Sequence, residues 1–286
     1  MVRIGFKVPS PAPDWRTIEA VWQRGGELDV FDSAWTNDHL QLDGPTWEGW
    51  STLAVLAHHV PDKRLGHLVL ASPFRHPAVL AKAAVVMDHA TSGRFILGLG
   101  VGSWPRDFAE YGIRLDPIPD RLHDLEDQLR LLHVLFRRGE GASKVGPITA
   151  RSGPYEVTDA RFDPAPFTLG GPPIWLGTQG EKIGLRLVAR YADGWNFDGS
   201  GDPTAFGRKL DALRRHCDRL GRDPGAVTVS VQLVVGDDLA KLREEAASFV
   251  RAGAQEVIFY LDLGRGVEGI EAVAAEVAAP LRDMPG

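Results

Sequence analysis

Along the chain, short runs rich in β-branched and aromatic residues alternate with longer stretches in which apolar positions recur every three or four residues. The first pattern is that of buried strands and the second that of amphipathic helices, so their regular alternation predicts a parallel sheet covered by helices. Strands are expected at residues 3–8, 29–35, 65–70, 94–99, 174–176, 194–197, 227–235 and 256–261. Helices are expected at 15–28, 47–60, 77–90, 180–191, 203–220, 239–252 and 267–279, with a further one carrying Leu122, Leu125, Leu129, Leu132 and Phe136 as a single apolar stripe. Asp14 is placed to cap the first helix, and Pro77 suits the first turn of the third. Between 137 and 172 the pattern breaks into turns rich in glycine and proline, with a hairpin expected near 148–157. That stretch reads as an excursion between strands four and five, not as a second domain. Eight units can close without leaving a sheet edge, so the expected fold is α/β, a (β/α)8 TIM barrel in one domain over 1–286. An open, doubly wound sheet is the alternative.

Composition narrows the partners. With 44% apolar and 24% charged residues the chain is ordinary globular protein, and it has no apolar run of the ~18 residues that a membrane span needs. Cys217 is the sole cysteine, which rules out an internal disulfide, and the opening residues lack the pattern of a secretory signal, so a cytoplasmic, reducing location is expected. The net charge of −6 and the scattered basic residues argue against nucleic acid, leaving a small molecule as the expected partner. Nine histidines are present without an HExxH spacing, and neither GxSxG nor GxxxxGK[ST] occurs, so metal, serine-hydrolase and P-loop chemistry are not expected.

In a barrel, chemistry belongs to the loops that follow the strand C-termini. After strand two, Asp38 and His39 bring an acid and an imidazole together in the string Trp35-Thr36-Asn37-Asp38-His39-Leu40; an ordinary polar turn would look the same. After strand four, Gly98, Gly100 and Gly102 alternate in GLGVGSW, which allows a backbone to approach a flat ligand or simply relieves crowding. Ser103 stands where a dinucleotide fingerprint needs glycine. After strand five, Gly177-Thr178-Gln179-Gly180 opens a helix whose N-terminus suits a phosphate, or is an ordinary glycine turn. Trp35, Trp50 and Trp104 are candidate pocket walls for a substrate.

The strings WQRGGELDVFDSAWTNDHL, RLGHLVLASPFRHPAVLAKAAVVMDHATSGRFILGLGVGSW and PPIWLGTQGEKIGLRLVARYADGWN resemble the luciferase-like monooxygenase superfamily, and DVFDSAWTNDH and RHPAVLAK resemble its branch that depends on coenzyme F420, a deazaflavin. The resemblance covers most of residues 1–197 and is general beyond Gly199. It implies a cofactor ring across the C-terminal mouth of the barrel, with Asp38 toward the pyrimidine side and His39 near the reacting face; because an imidazole titrates near neutral pH, His39 is the candidate proton-transfer residue. It implies a cis peptide joining Leu68 and Val69 behind the ring. Gly100, Val101 and Gly102 match segments that line the ring, and Gly177, Thr178, Gln179 and Gly180 match the phosphate-tail segment. The sequence departs from the family pattern in Ser103 before Trp104, in Thr178-Gln179, and in His67, where a small hydroxyl residue is common. The implied activity is hydride transfer between F420 and a small organic substrate, in a protein for which a homodimer is the family expectation. The alternatives are an FMN-dependent monooxygenase using reduced flavin and oxygen, a non-catalytic flavin-binding barrel, and an unrelated lyase-type barrel.

Overall fold

Alternation along the first strand, β1 (Arg3–Val8), sets the plan of the molecule. Ile4, Phe6 and Val8 belong to the core shared with the helices, and the intervening Arg3, Gly5 and Lys7 face the barrel axis, because successive side chains on a strand point to opposite faces. The computed structural model describes residues 1–138, 146–199 and 202–284. Its barrel strands continue as β2 (Ser33–Thr36), β3 (Arg64–His67), β4 (Phe95–Gly100), β5 (Ile174–Gly177), β6 (Gly194–Phe197), β7 (Thr228–Val234) and β8 (Glu256–Tyr260). They pair in parallel in the order β3-β2-β1-β8-β7-β6-β5-β4, and pairing of Leu65 with Phe95 and Gly66 with Ile96 joins β3 to β4. The eight-stranded barrel is closed, as the eight-unit count requires.

The helices on its outside are α1 (Trp15–Glu27), α2 (Gly49–Leu56), α3 (Pro77–Ala90), α4 (Ile118–Leu135), α5 (Gly184–Tyr191), α6 (Pro203–Arg219), α7 (Leu239–Arg251) and α8 (Gly266–Val273). Asp14 caps α1 by accepting from the Thr17 amide at 2.9 Å. The stripe on α4 is buried at Leu125, Leu129, Leu132 and Phe136. The expected hairpin forms from Ile148–Ser152 and Tyr155–Ala160, and Tyr155 docks it on α4 by donating to Asp124 at 2.7 Å. Residues 139–145 of the excursion lie outside the described residues.

Among the elements whose bounds differ from the sequence expectation, three differ at the ends of the barrel. Strand two begins at Ser33, not 29, because residues 29–32 turn under the barrel, where Asp32 accepts from the Ile4 amide at 2.7 Å. Strand three stops at His67, and the Leu68-Val69 peptide bond is cis, with pairing to β4 resuming over Leu70–Ala71. Helix α5 opens at Gly184, four residues later than expected, after a turn whose Glu181 carbonyl accepts from His216 at 2.8 Å.

Inside the barrel the axis-facing side chains form layers. At the N-terminal end, buried Glu256 accepts from Ser33 at 2.5 Å and from Arg64 at 2.8 Å, and Arg3 lies at 3.3 Å. Above it Trp35, Ile96, Trp175 and Ile258 fill the middle, with Trp35 and Trp175 in ring contact at 5.0 Å. Glycine at 66 and 194 leaves room for them: a Cβ at Gly194 would come within 2.4 Å of the Trp175 ring. The packed middle closes the axis from below, so a ligand enters from the C-terminal mouth.

Candidate active site

A cavity of about 330 Å³ lies at that mouth, at the small end of the range typical of small-molecule sites. It is lined by the ends of β1, β2, β4, β5, β6, β7 and β8 and by the Leu68-Val69 backbone.

Asp38, His39, Leu68, Val69, Gly100, Val101, Gly102, Gly177, Thr178 and Gln179 all line this one cavity, although they lie on four separate loops. Gly180 does not line it. The three tryptophans do not either. Trp35 is fully buried in the middle layer, donating to Ser33 at 2.8 Å, because the alternation of β2 turns it inward below the cavity. Trp50 stacks on His67 at 5.5 Å behind β3, and Trp104, 40% exposed, starts the short helix Pro105–Ala109 at the rim.

Asp38 is held firmly. Its carboxylate accepts from the Ala71 amide at 3.1 Å and from Arg75 through Nη1 at 2.6 Å and Nη2 at 3.0 Å, and Arg75 also binds Glu48. A two-point pair of this kind fixes geometry as well as charge. Three of the roughly four acceptor positions of the carboxylate are therefore used by the protein itself.

His39 is oriented by a residue that sequence reading missed. Its Nδ1 lies 2.7 Å from Asp107, on the short helix after β4, and the same carboxylate accepts from the Leu40 and Gln41 amides at 2.8 and 2.7 Å. A carboxylate only accepts, so Nδ1 carries the proton and the neutral ring keeps its lone pair on Nε2. The side chain remains 23% exposed, within reach of a reacting molecule. Nothing in the spacing of residues 39 and 107 announces the pair.

At Gly100 and Gly177 the bare backbone makes room for a neighbouring side chain. A Cβ at Gly100 would stand 2.5 Å from Val69 Cγ2, and one at Gly177 would stand 2.8 Å from Val69 Cγ1. Val69 is thus seated between two bare backbones and becomes a fixed part of the cavity wall. Gly102, with φ of 75°, adopts a backbone that other residues rarely take, and Arg121 holds the carbonyls of Val101, at 3.0 Å, and Gly102. At the other side Trp195 donates to the Thr178 carbonyl at 2.8 Å and Lys209 to that of Gln179 at 2.7 Å.

Lys7 was also missed. It is buried at the end of β1, and burial pushes its amine down to about 7, against the opposing pull of Asp198. Tyr260, half-buried beside it and accepting from Asn37 at 3.1 Å, has its phenol pushed up by loss of water. His67, fully buried, is pushed down to about 4 by loss of water, with the Asp38 charge pulling the other way.

Residues 11–280 match the family described as luciferase-like monooxygenase. The chain belongs to that family. It is 30% identical over 258 residues to a phthiodiolone/phenolphthiodiolone dimycocerosates ketoreductase of Mycobacterium sp. (strain JLS), covering 82% of this chain and 65% of the relative. It is 33% identical over 187 residues to a 4-hydroxyprotoasukamycin monooxygenase of Streptomyces nodosus subsp. asukaensis, covering 62% of this chain and 45% of the relative. The chain therefore spans less than two thirds of the length of either. Among solved structures, an F420-dependent secondary alcohol dehydrogenase in complex with an F420-acetone adduct superposes with a TM-score of 0.80 at 14% identity, covering 97% of this chain and 98% of the other. A coenzyme F420-dependent tetrahydromethanopterin reductase from Methanopyrus kandleri gives 0.77 at 17% identity, covering 98% and 99%. These likenesses establish the shared barrel fold.

Of the described helices, none is long and apolar enough to cross a membrane, and no cluster of three or more metal-ligating side chains occurs among the described residues.

Proposed function

We propose that this family member is an F420-dependent oxidoreductase that moves a hydride between the deazaflavin and a small organic substrate. The observation that carries the reading is the His39–Asp107 pair at the edge of a cavity walled by the Leu68-Val69, Gly100–Gly102 and Gly177–Gln179 backbones. Interconverting an alcohol and a ketone requires one proton to leave or reach the substrate oxygen as the hydride moves, and a neutral imidazole with a fixed tautomer supplies that transfer. The solved F420-dependent barrels and the ketoreductase relative fit the same chemistry, and the monooxygenase relative makes FMN the cofactor to test against.

The residues present fit a flat ring. Val69, locked between Gly100 and Gly177, offers a rigid apolar face, and the flanking backbones bring no side chain into the space beside it. Leu68, Val69, Gly100, Val101 and Gly102 would hold the ring, with Gly177, Thr178 and Gln179 along the tail and Asp38 at its polar edge. When bound, a deazaflavin supplies two-electron hydride chemistry without oxygen activation. Asp107 holds the proton on Nδ1 of His39, so Nε2 takes a proton from an alcohol or, when charged, returns one to a ketone oxygen. Arg75 keeps Asp38 in place, and the packed Trp35–Trp175 layer closes the barrel axis below the cavity to water.

The test is a titration of the purified protein with F420 and with FMN, followed by a panel of secondary alcohols and ketones read by ring absorbance. Micromolar F420 binding and turnover are expected. Tight FMN binding with oxygen uptake and no F420 binding would replace this reading by the monooxygenase one, and ring binding without any redox would make the protein a carrier.

A further inference from the structure

Lys7 occupies the junction between the cavity and the barrel axis, and proton transfer at His39 makes no use of it. Its Nζ donates to the Leu68 carbonyl at 2.5 Å and to Gln232 Oε1 at 2.8 Å, and it stands 4.5 Å from the centre of the Tyr260 ring. A neutral amine has two protons, and these two acceptors satisfy both. An ammonium has a third proton and a full charge, which a buried site accepts only when an opposite charge is near.

Among the described residues no carboxylate forms an ion pair with Lys7, and the one that pulls on it, Asp198, does so from a distance. From β8 it meets Tyr260 and from β7 the uncharged Gln232; Asn37 and Asp38 follow β2, Asp198 follows β6, and His39 and Asp107 line the same cavity. Asp38 is matched by Arg75 and Asp107 by His39 with two amides. Asp198, which accepts from Gln179, acts on Lys7 only through its field. Apart from His39, Lys7 is the only cation-forming side chain lining the cavity among the described residues.

We propose that Lys7 is a further functional residue of this site: the group that meets negative charge on a ring bound beside the Leu68-Val69 backbone, taking one proton from solvent as that charge arrives. The inference rests on the ring-binding reading above. A neutral ring that gains a hydride gains one negative charge; the lysine amine and one solvent proton become an ammonium that balances it, with no second proton drawn through His39. Because burial already holds the free amine near neutrality, the uptake falls within the working pH range. The bonds to Leu68 and Gln232 keep the amine aligned in both protonation states.

Two measurements test this. In the ligand-free protein, isotope-labelled lysine is followed by NMR across the neutral and alkaline range, with the Lys7 signal assigned by its loss in Lys7→Met. Calorimetry near pH ~8, anaerobic and in two buffers of different ionisation enthalpy, then counts protons taken up as oxidised or reduced F420 binds. Lys7 is expected to titrate near 7, with roughly one proton taken up per reduced ring, fewer per oxidised ring, and affinity for the reduced ring falling by up to about tenfold per pH unit above that midpoint. Lys7→Met is expected to lose the uptake and the pH slope, whereas Lys7→Arg, always charged, keeps reduced-ring affinity without uptake. A free-protein midpoint near the ordinary 10.5, or uptake unchanged in Lys7→Met, overturns the inference. Failure of either ring to bind refutes the proposed function and shows directly as absent heat, while the free-protein titration still decides whether Lys7 is the near-neutral amine required here.

Discussion

Replacing His67 by phenylalanine isolates a buried histidine whose charge the fold rejects. The imidazole is fully buried, stacked on Trp50 at an interplanar angle of 12°, and its Nε2 lies 3.1 Å from the Gly49 carbonyl. That carbonyl can only accept, so the ring carries its proton on Nε2, and Nδ1 has no partner. Acid must therefore place a second proton, and a charge, on a ring cut off from water, and that desolvation pushes the group from 6.5 to about 4 against the pull of the Asp38 charge. The unfolded chain binds this proton below 6.5 and the folded one only below about 4, so stability is complete above 6.5 and is lost as pH falls through that window. The separation corresponds to roughly 3 kcal/mol at the acid limit and about 2 kcal/mol at pH ~5. Phenylalanine keeps the ring stack and removes the titrating atom. Urea unfolding of both proteins at neutral pH and near pH ~5 should show the wild type losing about 2 kcal/mol more than His67→Phe over that interval. Parallel losses in the two proteins would refute the reasoning, because the carboxylates common to both would then account for all of the acid sensitivity.

Three further outcomes follow from the site. Asp107→Asn should leave ring binding intact, mix the two His39 tautomers in 15N spectra and lower turnover by about 100-fold; a wild-type tautomer with full turnover would remove Asp107 from the machinery. Arg75→Met strands Asp38 in a buried setting and should cost about 3 kcal/mol or more in thermal or urea unfolding, with a loss below ~1 kcal/mol showing that the pair adds little. Gly100→Ala drives a methyl into Val69 and should weaken ring binding at least about tenfold, and Val69→Ala in the same chain should recover part of that loss; additive losses would show that the two residues do not act through one contact.

Period and punctuation were enough to locate every barrel strand, because strands buried on both faces read as short apolar runs and the helices between them as stripes. The errors fall where tertiary contacts override that signal. Residues 29–32 look like strand but turn under the barrel, and the apolar run at 65–70 is interrupted by a cis bond that hydrophobicity does not encode. Trp35, expected as a cavity wall, is placed one layer below by the two-residue alternation of β2. The same alternation places Lys7: with Ile4, Phe6 and Val8 facing the helices, it faces the axis.

By itself, then, the sequence determined the eight-unit barrel and the loops at its C-terminal mouth that carry Asp38, His39, the two glycine segments and the Leu68-Val69 bond, since each follows from local pattern or family motif. Only the tertiary structure decided what those residues do to one another. His39 meets Asp107 across 68 positions, and Lys7 reaches Leu68 across 61 and Gln232 across 225. Such pairs form because barrel closure brings the ends of distant strands to one rim, and no local periodicity records which side chains arrive there together.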